Sequence, residues 1–559
     1  MKKTFYKYLP YAIVFFVAVV LRLLYIDTAI WYDEACSWFS AKQAFPSGIM
    51  DNLLHLDLQH TPIYFFILHF WMKMFGDGEI ALRGLSFLFS IASIPLAYVI
   101  ARKLANKKVA LALISIVAAS PLLVFFSVEI RMYPLVVLLV LLSLNALIDF
   151  EQKGRTKSLV QLVFYNLLIP YTLVGGILYN ISLAIGYGGY LYKEKRAKFK
   201  RYFKSFLVEI FLLVPYFVLI VYYWKMRSLF VIKHEGIFAF WHFVEVIRNF
   251  FSPNIVSNPY WPSVSNYDMT LAFFALIIAP CAYFLYGYIK GFIKSYGFVK
   301  CLYCIFLVTL LLAVLFGMLQ VNVFTTRYVL FLLIPMMVLS LRGLYKSLSK
   351  KHFVAFVSFF VLASIWYTVA DFRYLKVLKQ YAFADVKTEA DELGLTSQDV
   401  VIMPFGSDAP YYFRKINAPK VHKFDIHKEL RNPYNNNFYD ISQQKLMDKE
   451  ARYSAVYDAV FKDDCFSENF RNYFTEDVNS YVDSGRFVLL ALYSDDASAV
   501  VHINDLRNSI SNIKDIKNNM IMTLMKKYLF DVQYLLTKEF QLVKSYQKNN
   551  YTYYLFQKM

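Results

Sequence analysis

Long hydrophobic runs alternate with short polar segments along most of the chain. A helix that crosses a membrane needs about 20 mainly apolar residues, and about eleven runs approach that length. We therefore predict a polytopic α-helical membrane region with spans at Leu9–Tyr25, Ile80–Ala101, Val109–Phe126, Tyr133–Asp149, Leu159–Val174, Gly175–Leu191, Phe206–Tyr223, Met269–Tyr288, Cys301–Leu319, Arg327–Leu341 and Phe353–Ala370. Between the fifth and sixth runs, Pro170 and Gly175–Gly176 mark either a tight turn or a kink.

The loops between these runs differ in charge in a regular way. When the N-terminus is placed inside, every inside loop is rich in Lys and Arg, whereas the outside loops hold few for their length. The basic loops lie at 102–108, 153–157, 193–201, 290–300 and 342–351. This pattern predicts a multi-pass protein of the cytoplasmic (inner) membrane with a cytoplasmic N-terminus and an extracytoplasmic C-terminus. The basic, then apolar start of the chain is followed by no small-residue cleavage site, so we expect a retained first helix.

Three outside segments are longer than a turn. The first, 27–79, contains Ile63–Phe75, which is too short to span and is predicted to be an interfacial helix. The second, 224–268, is rich in aromatic residues and prolines and is predicted to be a structured loop. The third is the tail of the chain, so the predicted domains are a transmembrane region at 1–371 and a soluble extracytoplasmic domain at 372–559.

The tail has the composition of a soluble domain. Strand-like runs occur at Val400–Met403, Arg486–Leu492, Phe540–Ser545 and Tyr551–Phe556, and a helical stretch occurs at Val386–Leu393. This mixture predicts a small α/β domain.

Composition supports the membrane interpretation. Hydrophobic residues make up 58% of the chain, against roughly 45–50% in soluble proteins. The net charge of +19 does not indicate a nucleic-acid partner, because the basic residues lie in short loops, where they contact anionic lipid headgroups. The five cysteines form no disulfide framework, and the Cys301–Cys304 pair is expected to pack within a membrane helix.

Four polar clusters fall at outside ends of the predicted helices, and polar groups near membrane depth are usually functional. They are Trp31–Glu34, Asp57–Tyr64, Ser127–Pro134 and Thr325–Tyr328. All four share the side that the loop charges define independently. That agreement predicts one functional site on the outside.

Each cluster has a structural and a chemical interpretation. Asp33 and Glu34 suit a general base or a metal ligand, or they cap a helix over Glu34–Ala44. Thr61–Pro62 suits the start of the interfacial helix, which leaves Asp57 and His60 beside it unexplained.

The two arginine clusters also have two interpretations. Glu129 and Arg131 are two apart and would point the same way in an extended loop, so either they form an ion pair or Arg131 faces a phosphate. Arg327 either extends to the membrane interface or binds phosphate as well.

At these residues the chain resembles the GT-C fold membrane glycosyltransferases of family 39, the relatives of protein O-mannosyltransferases and of the lipid A aminoarabinose transferase. The matching segments are Trp31–Trp38, Asp57–Tyr64 with Leu68–Ser86, Ser127–Leu135 and Thr325–Pro335, within roughly the first 370 residues. Two departures stand out. Members often read Asp-x-His-Pro-Pro where this chain has one extra residue and one proline fewer after Asp57, and Cys36 stands where aminoarabinose transferases carry an arginine.

The resemblance implies an inverting transfer of a sugar from a polyprenyl-phosphate donor to an acceptor on the extracytoplasmic side. Asp33 would be the general base, with Glu34 beside it, and Arg131, Arg327 and Tyr328 would bind the donor phosphate. Residues that would position the donor or acceptor are Asp57, His60, Tyr64, Glu129 and Tyr133. The acceptor would be a lipid, a protein or a glycan, and the sugar is not specified by the sequence.

A divalent metal ion is the one cofactor that the resemblance leaves open, since some members use it and others do not. Candidate ligands are Glu34, Asp57, His60, His234 and His242, which show no tight ligand spacing.

Two alternative functions share the membrane location. A transporter or flippase of a lipid-linked sugar would show internal repeats and polar groups near the bilayer midplane, whereas this chain has polar groups at one surface. A surface-polysaccharide polymerase or ligase would share the lipid carrier, but the Asp33–Glu34 and Arg327–Tyr328 motifs favour the family named above.

Overall fold

The computed structural model describes residues 2–55, 60–230, 240–252, 271–319, 324–370, 384–403, 409–415, 417–423, 439–440, 445–446, 478, 480–493, 532, 536–537, 539–548 and 551–559. These residues divide into two compact units. The first comprises Met1–Thr28 with Ser37–Leu378, and the second comprises Ala29–Cys36 with Lys379–Met559. The predicted domain boundary at 371/372 stays a prediction.

The first unit is helical. In chain order its helices, with the one that begins in the second unit, are α1 (Lys2–Leu23), α2 (Tyr32–Lys42), α3 (Ser47–His55), α4 (Ile63–Phe75), α5 (Glu79–Leu104), α6 (Lys107–Ala119), α7 (Pro121–Ser127), α8 (Tyr133–Lys153), α9 (Thr156–Thr172), α10 (Ile177–Glu194), α11 (Arg196–Leu212), α12 (Val214–Phe230), α13 (Phe240–Phe251), α14 (Leu271–Ile293), α15 (Gly297–Met318), α16 (Leu333–Ser347) and α17 (Lys350–Ala370). Short 3₁₀ turns at Val174–Gly176 and Leu330–Leu332 precede α10 and α16.

Each of the eleven predicted spans coincides with a helix or with a pair of consecutive helices. Five helical segments are long and apolar enough to cross a membrane, namely Glu79–Leu104, Tyr133–Lys153, Gly297–Met318, Leu330–Ser347 and Lys350–Val369. Two bent pairs, α6 with α7 and α11 with α12, raise the number to seven. Within the described residues the eleven predicted runs are thus confirmed as helices. Fewer than eleven of these helices, counted alone or as bent pairs, are long and apolar enough to cross a membrane.

The predicted interfacial helix is confirmed in its extent, because α4 runs from Ile63 to Phe75 and is too short to be a full span. It follows Pro62 directly. Proline favours a helix start, since its fixed φ suits the first turn and its missing N–H is not needed there. In the second long outside segment, α12 extends to Phe230 and α13 follows, whereas 253–270 lie outside the described residues.

Glycines set how closely two of the helices approach. A Cβ atom on Gly343 of α16 would come within 1.8 Å of the carbonyl oxygen of Gly287 on α14. No side chain fits there, so the two backbones are in direct contact at this point. Small residues at such crossings are typical of helices packed within a membrane.

A buried polar network joins four helices. The Glu209 carboxylate on α11 accepts hydrogen bonds from Asn166 on α9 and Asn180 on α10, each at 3.2 Å. Asn166 in turn accepts a hydrogen bond from Ser143 on α8 at 2.7 Å. Polar pairs of this kind add specificity to helix packing where no hydrophobic driving force exists between helices.

The second unit contains the C-terminal sheet. Its described helices are α18 (Ala384–Glu392) and α19 (Ala409–Tyr412), and its strands are β1 (Val400–Met403), β2 (Lys420–Lys423), β3 (Tyr439–Asp440), β4 (Lys445–Leu446), β5 (Phe487–Tyr493), β6 (Phe540–Lys548) and β7 (Tyr551–Lys558). The predicted strand and helix segments of the tail are confirmed to within a few residues.

The main sheet has the strand order β2-β1-β5-β7-β6. β1 pairs in parallel with β2 and β5, whereas β7 pairs antiparallel with β5 and β6. Val401, Leu489 and Tyr553 face a core that α18 covers with Val386 and Ala390. A mixed sheet covered by a helix is the α/β architecture that the sequence predicts.

Candidate functional site

The loop between α7 and α8 carries the third polar cluster. It runs from the end of α7 at Ser127 to the start of α8 at Tyr133, and all of residues 127–133 are buried. Pro134 lies in the first turn of α8, where it favours helix initiation. Arg131 is only 3% exposed. Burial of a guanidinium is costly unless its N–H groups form hydrogen bonds. The partners of the Arg131 guanidinium therefore identify the residues of the site.

The guanidinium of Arg131 contacts two uncharged side chains. Nη1 donates to Ser37 Oγ at 3.2 Å, and Nη2 lies 2.8 Å from His60 Nε2. Because a guanidinium only donates, His60 Nε2 must accept, which assigns the imidazole proton to Nδ1. This contact brings together Arg131 and His60, which lie 71 residues apart in the sequence.

The backbone of the loop is also fixed. Ser86 Oγ on α5 donates to the carbonyl oxygen of Arg131 at 3.1 Å, and the hydroxyl of Tyr64 on α4 lies 3.1 Å from Ser86 Oγ. The backbone of His60 is held as well, because the Tyr223 hydroxyl on α12 donates to the carbonyl of His60 at 2.8 Å. Helices α4, α5 and α12 therefore hold both partners in place.

The fourth cluster, Thr325–Tyr328, forms a turn before α16. The N–H groups of Tyr328 and Val329 donate to the carbonyl of Thr325 at 3.0 and 3.2 Å. Arg327 is half-buried, and its guanidinium lies 5.0 Å from the centroid of the Tyr328 ring. The Tyr328 ring contacts the Tyr133 ring edge to face, with centroids 6.3 Å apart. This contact places the turn beside the loop that carries Arg131.

Helix α13 contributes residues that the sequence analysis missed. Asn249 Nδ2 donates to Thr326 Oγ1 at 3.1 Å, and the Thr326 hydroxyl is hydrogen-bonded to Glu245. Burial raises the pKa of Glu245 to about 7, against the opposing effects of the Arg248 charge and of the hydrogen bond with Thr326. The signal was available, since Glu245, Arg248 and Asn249 are spaced along one face of a strongly amphipathic segment.

Asp33 and Glu34 belong to the second unit. They occupy the first turn of α2, which begins two residues before the predicted Glu34–Ala44 segment. Glu34 is fully buried, and its Oε2 accepts a hydrogen bond from the Trp31 N–H at 3.3 Å, as the third residue of a helix does in a capping box. Glu34 thus stabilises the helix start, while Asp33 is half-buried.

A tyrosine of the same unit holds the segment before Asp33. The Tyr412 hydroxyl on α19 accepts from the Ile30 N–H at 2.6 Å and donates to the Ile30 carbonyl at 2.9 Å. One hydroxyl therefore satisfies both backbone groups of Ile30. Tyr412 thus holds the backbone three residues before Asp33.

The remaining predicted residues separate into two groups. Asp57 and His234 lie outside the described residues, as does the side chain of His242. Glu129 is buried in the loop beside Arg131. Across the residues that the structure describes, no group of three His, Cys, Asp or Glu side chains is arranged to hold a metal ion.

A family model and several solved structures resemble parts or all of this chain. Residues 59–224 match the family model described as dolichyl-phosphate-mannose-protein mannosyltransferase. The matched segment includes His60, Tyr64, Glu129, Arg131 and Tyr133. A sequence comparison with curated proteins finds no match.

Solved structures show the fold. ArnT from Cupriavidus metallidurans in the apo state superposes with a TM-score of 0.53 at 10% identity, over 99% of this chain and 98% of that one. ArnT bound to undecaprenyl phosphate gives a TM-score of 0.50 at 11% identity, with 98% of each chain covered. The predicted GT-C fold with a C-terminal sheet domain is confirmed, and the family match agrees with the predicted enzyme class, a polyprenyl-phosphate-dependent glycosyltransferase.

Proposed function

We propose that this membrane protein transfers a sugar from a polyprenyl phosphate to an acceptor on the extracytoplasmic side, with inversion. The observation that carries the proposal is the buried Arg131, held by His60 and Ser37 at the end of a membrane helix. A planar guanidinium binds two phosphate oxygens at once, so a fixed Arg131 suits the phosphate of a lipid carrier. A preorganised donor stabilises the charge that develops on that phosphate without reorganising during the reaction.

The proposed reaction needs only a few groups. The bond between the anomeric carbon and the phosphate oxygen breaks as an acceptor atom attacks from the opposite face. Asp33 takes the proton of the acceptor, and Arg131 with Arg327 receives the negative charge of the departing lipid phosphate. Tyr328 orients Arg327 through its ring. His60, Tyr64 and Tyr133 hold this arrangement in place, and Glu34 stabilises the helix that carries Asp33.

The loop charges support one orientation of the chain in the membrane. We place the N-terminus in the cytoplasm and the C-terminal domain, residues 372–559, outside an inner membrane. The α7–α8 loop and the turn at Thr325–Tyr328 both fall on the outer side in this arrangement. A lipid donor would then keep its chain in the bilayer while its phosphate reaches Arg131.

The two ArnT structures support the lipid class of the donor, because one of them contains undecaprenyl phosphate. The family match favours transfer over the transport alternative, since its description names a mannosyltransferase that uses a dolichyl-phosphate sugar.

A transfer assay tests the proposal. Purified protein in detergent is incubated with a panel of polyprenyl-phosphate sugars, and consumption of each donor is compared between wild type and Asp33→Asn. Asn keeps the side-chain shape but does not act as a base, so we expect consumption by wild type and a loss of roughly a hundredfold or more in the variant. Asp51→Asn, an exposed carboxylate on α3, is the matched control and should keep full activity.

Two results would contradict the proposal. Equal rates for wild type and Asp33→Asn would remove Asp33 from the reaction. Donor consumption by neither protein across the panel, with folded protein in both samples, would remove the transferase itself.

A further inference from the structure

A second buried arginine lies near the outer end of α1. Arg22 is fully buried, one residue before the end of the helix. Its Nε donates to Ser90 Oγ on α5 at 3.0 Å, and its Nη1 donates to the carbonyl of Ala18, one turn earlier on α1, at 3.0 Å. Neither contact explains why a permanent positive charge is buried here, since a burial of this kind is among the most costly in a membrane protein.

The remaining contacts of Arg22 are directed at the end of α6. Nη1 also donates to the carbonyl of Ala118 at 3.0 Å, and Nη2 donates to the carbonyl of Val117 at 3.3 Å. Both carbonyls lie in the last turn of α6, which ends at Ala119. Carbonyl groups in the last turn of a helix have no intrahelical partner and carry the negative end of the helix dipole.

The sequence explains why these carbonyls need a partner. In a continuous helix the carbonyl of Val117 would accept from the N–H of residue 121, but that residue is Pro121, which has none. The axis bends by 56° between α6 and α7 at this point. No water is available inside a membrane to satisfy the exposed carbonyls, so the guanidinium takes that role.

The bend leads directly to the candidate site. Helix α7 has only seven residues and ends at Ser127, where the loop that carries Arg131 begins. Arg22 lines the same small cavity as Phe126 at the end of α7 and Pro134 at the start of α8, the two residues that flank the loop. Any change in the angle between α6 and α7 therefore moves the start of this loop.

We propose that Arg22 is a positioning residue for the transfer reaction, and that it holds the α6–α7 bend so that the following loop presents Arg131 to the donor phosphate. This inference rests on the proposed function of Arg131. It assigns to Arg22 a task different from phosphate binding, because its described hydrogen bonds run to three backbone carbonyls and to Ser90.

The variants Arg22→Met and Arg22→Lys test this role. Met has a similar length but donates nothing, while Lys keeps the charge but lacks the planar fork that reaches two neighbouring carbonyls. Arg342→Met is the matched control, because Arg342 on α16 donates in the same way to the carbonyl of Leu104 at the end of α5, at 3.0 Å. That contact lies at the end of α5 that leads into α6 and away from the loop.

The first readout reports the loop without any donor. A Ser127→Cys substitution places a thiol at the buried start of the loop, and its labelling by a maleimide is followed by peptide-resolved mass spectrometry. We expect Arg22→Met to increase labelling at position 127 roughly tenfold, Arg22→Lys to have a smaller effect and Arg342→Met to have none. The native Cys301, buried in α15, reports general loosening and should stay constant.

The second readout is a double-mutant cycle on kcat/KM for the donor. We expect Arg22→Met to lower kcat/KM roughly tenfold in wild type and much less in an Arg131→Gln background, because a misplaced loop has no consequence once Arg131 is gone. Unchanged labelling at position 127, or equal increases at 127 and Cys301, would overturn the bend-holding role. Fully additive effects in the cycle would overturn the link to Arg131.

Failure of the proposed function gives a different result. In that case Arg131→Gln alone leaves kcat/KM unchanged, or wild type consumes no donor, whereas the labelling experiment still shows whether Arg22 holds the loop.

Discussion

Two arginines at helix ends are the candidates for the donor phosphate, and their surroundings differ. Arg131 is 3% exposed, its guanidinium contacts Ser37 and His60, and its carbonyl accepts from Ser86. Arg327 is half-buried in a short turn, and its guanidinium lies over the Tyr328 ring. The first arginine is buried and hydrogen-bonded to neighbouring side chains, whereas the second is half-buried and stacks on an aromatic ring.

The difference suggests a division of tasks. A buried, fixed guanidinium acts in a low-dielectric setting, where its charge is strong and needs no reorganisation. A half-buried one is partly screened by water, and it is better suited to following a ligand that enters or leaves. The contact between Tyr133 and Tyr328 places the two arginine-bearing segments side by side.

The largest expected effect follows from removing the fixed charge. We expect Arg131→Gln to lower kcat/KM for the donor roughly a hundredfold to a thousandfold, in the range measured when one preorganised donor of a transition state is lost. Steady-state kinetics with a polyprenyl-phosphate sugar measures this. Arg342→Gln, on the opposite side of the bundle, serves as control, and a change of less than twofold for Arg131→Gln would remove Arg131 from the site.

Replacing each arginine with lysine separates fixed geometry from charge. Lysine keeps the charge but loses the planar fork, so a site with fixed geometry should suffer more than an adaptable one. We expect Arg131→Lys to lose roughly tenfold or more in kcat/KM, whereas Arg327→Lys stays within about threefold of wild type. The reverse order would show that Arg327 is the fixed phosphate ligand.

A third prediction concerns the support of the Arg131 backbone. The Tyr64 hydroxyl bonds to Ser86, which in turn donates to the carbonyl of Arg131. Tyr64→Phe removes one neutral hydrogen bond, worth about 1 kcal/mol, so we expect a loss of roughly fivefold in kcat/KM. Tyr288→Phe, which removes a similar bond to the carbonyl of Tyr303 at a distance from the loop, should leave kcat/KM unchanged. Equal losses in both variants would indicate a general effect on stability.

The smallest expected effect concerns the support of the Arg327 turn. Because burial raises the pKa of Glu245 from its ordinary value near 4.5 to about 7, the folded state favours the protonated carboxyl. Its contribution to stability is therefore fully present below pH 4.5 and is lost as the pH rises through 7. We expect the Tm of wild type to fall by a few degrees between pH 5 and 8 relative to Glu245→Gln, measured by thermal unfolding in detergent. Parallel pH profiles for the two proteins would contradict this assignment.

Patterns along the chain predicted most of the helices and strands. Each of the eleven long apolar runs coincides with a helix or a pair of helices, and the short run at Ile63–Phe75 was predicted with its observed ends, whereas α3 and α13 were not predicted. The strand at Val400–Met403 was predicted with its observed ends, and the predicted run at Tyr551–Phe556 lies within the strand Tyr551–Lys558. These features depend on local preference and burial, which neighbouring residues already encode.

The contacts of the site were less accessible to sequence reasoning. The motifs predicted that His60 and Arg131 share one side of the membrane, but not that His60 accepts a hydrogen bond from Arg131. The sequence offered helix capping as one role of Glu34, whereas it predicted no role for Glu245, Asn249 or Arg22. Such contacts depend on how distant helices meet, and a single sequence does not specify that geometry.

A binding measurement shows directly whether Arg131 recognises the phosphate of a lipid carrier. Affinities for undecaprenyl phosphate and for undecaprenol, which shares the chain but lacks the phosphate, are compared for wild type, Arg131→Gln and Arg342→Gln by microscale thermophoresis in detergent. We predict that wild type and Arg342→Gln bind the phosphate form roughly tenfold to a hundredfold more tightly than the alcohol, as a charged hydrogen bond of about 1.5–3 kcal/mol requires, and that Arg131→Gln loses this preference. An unchanged preference in Arg131→Gln would contradict the account.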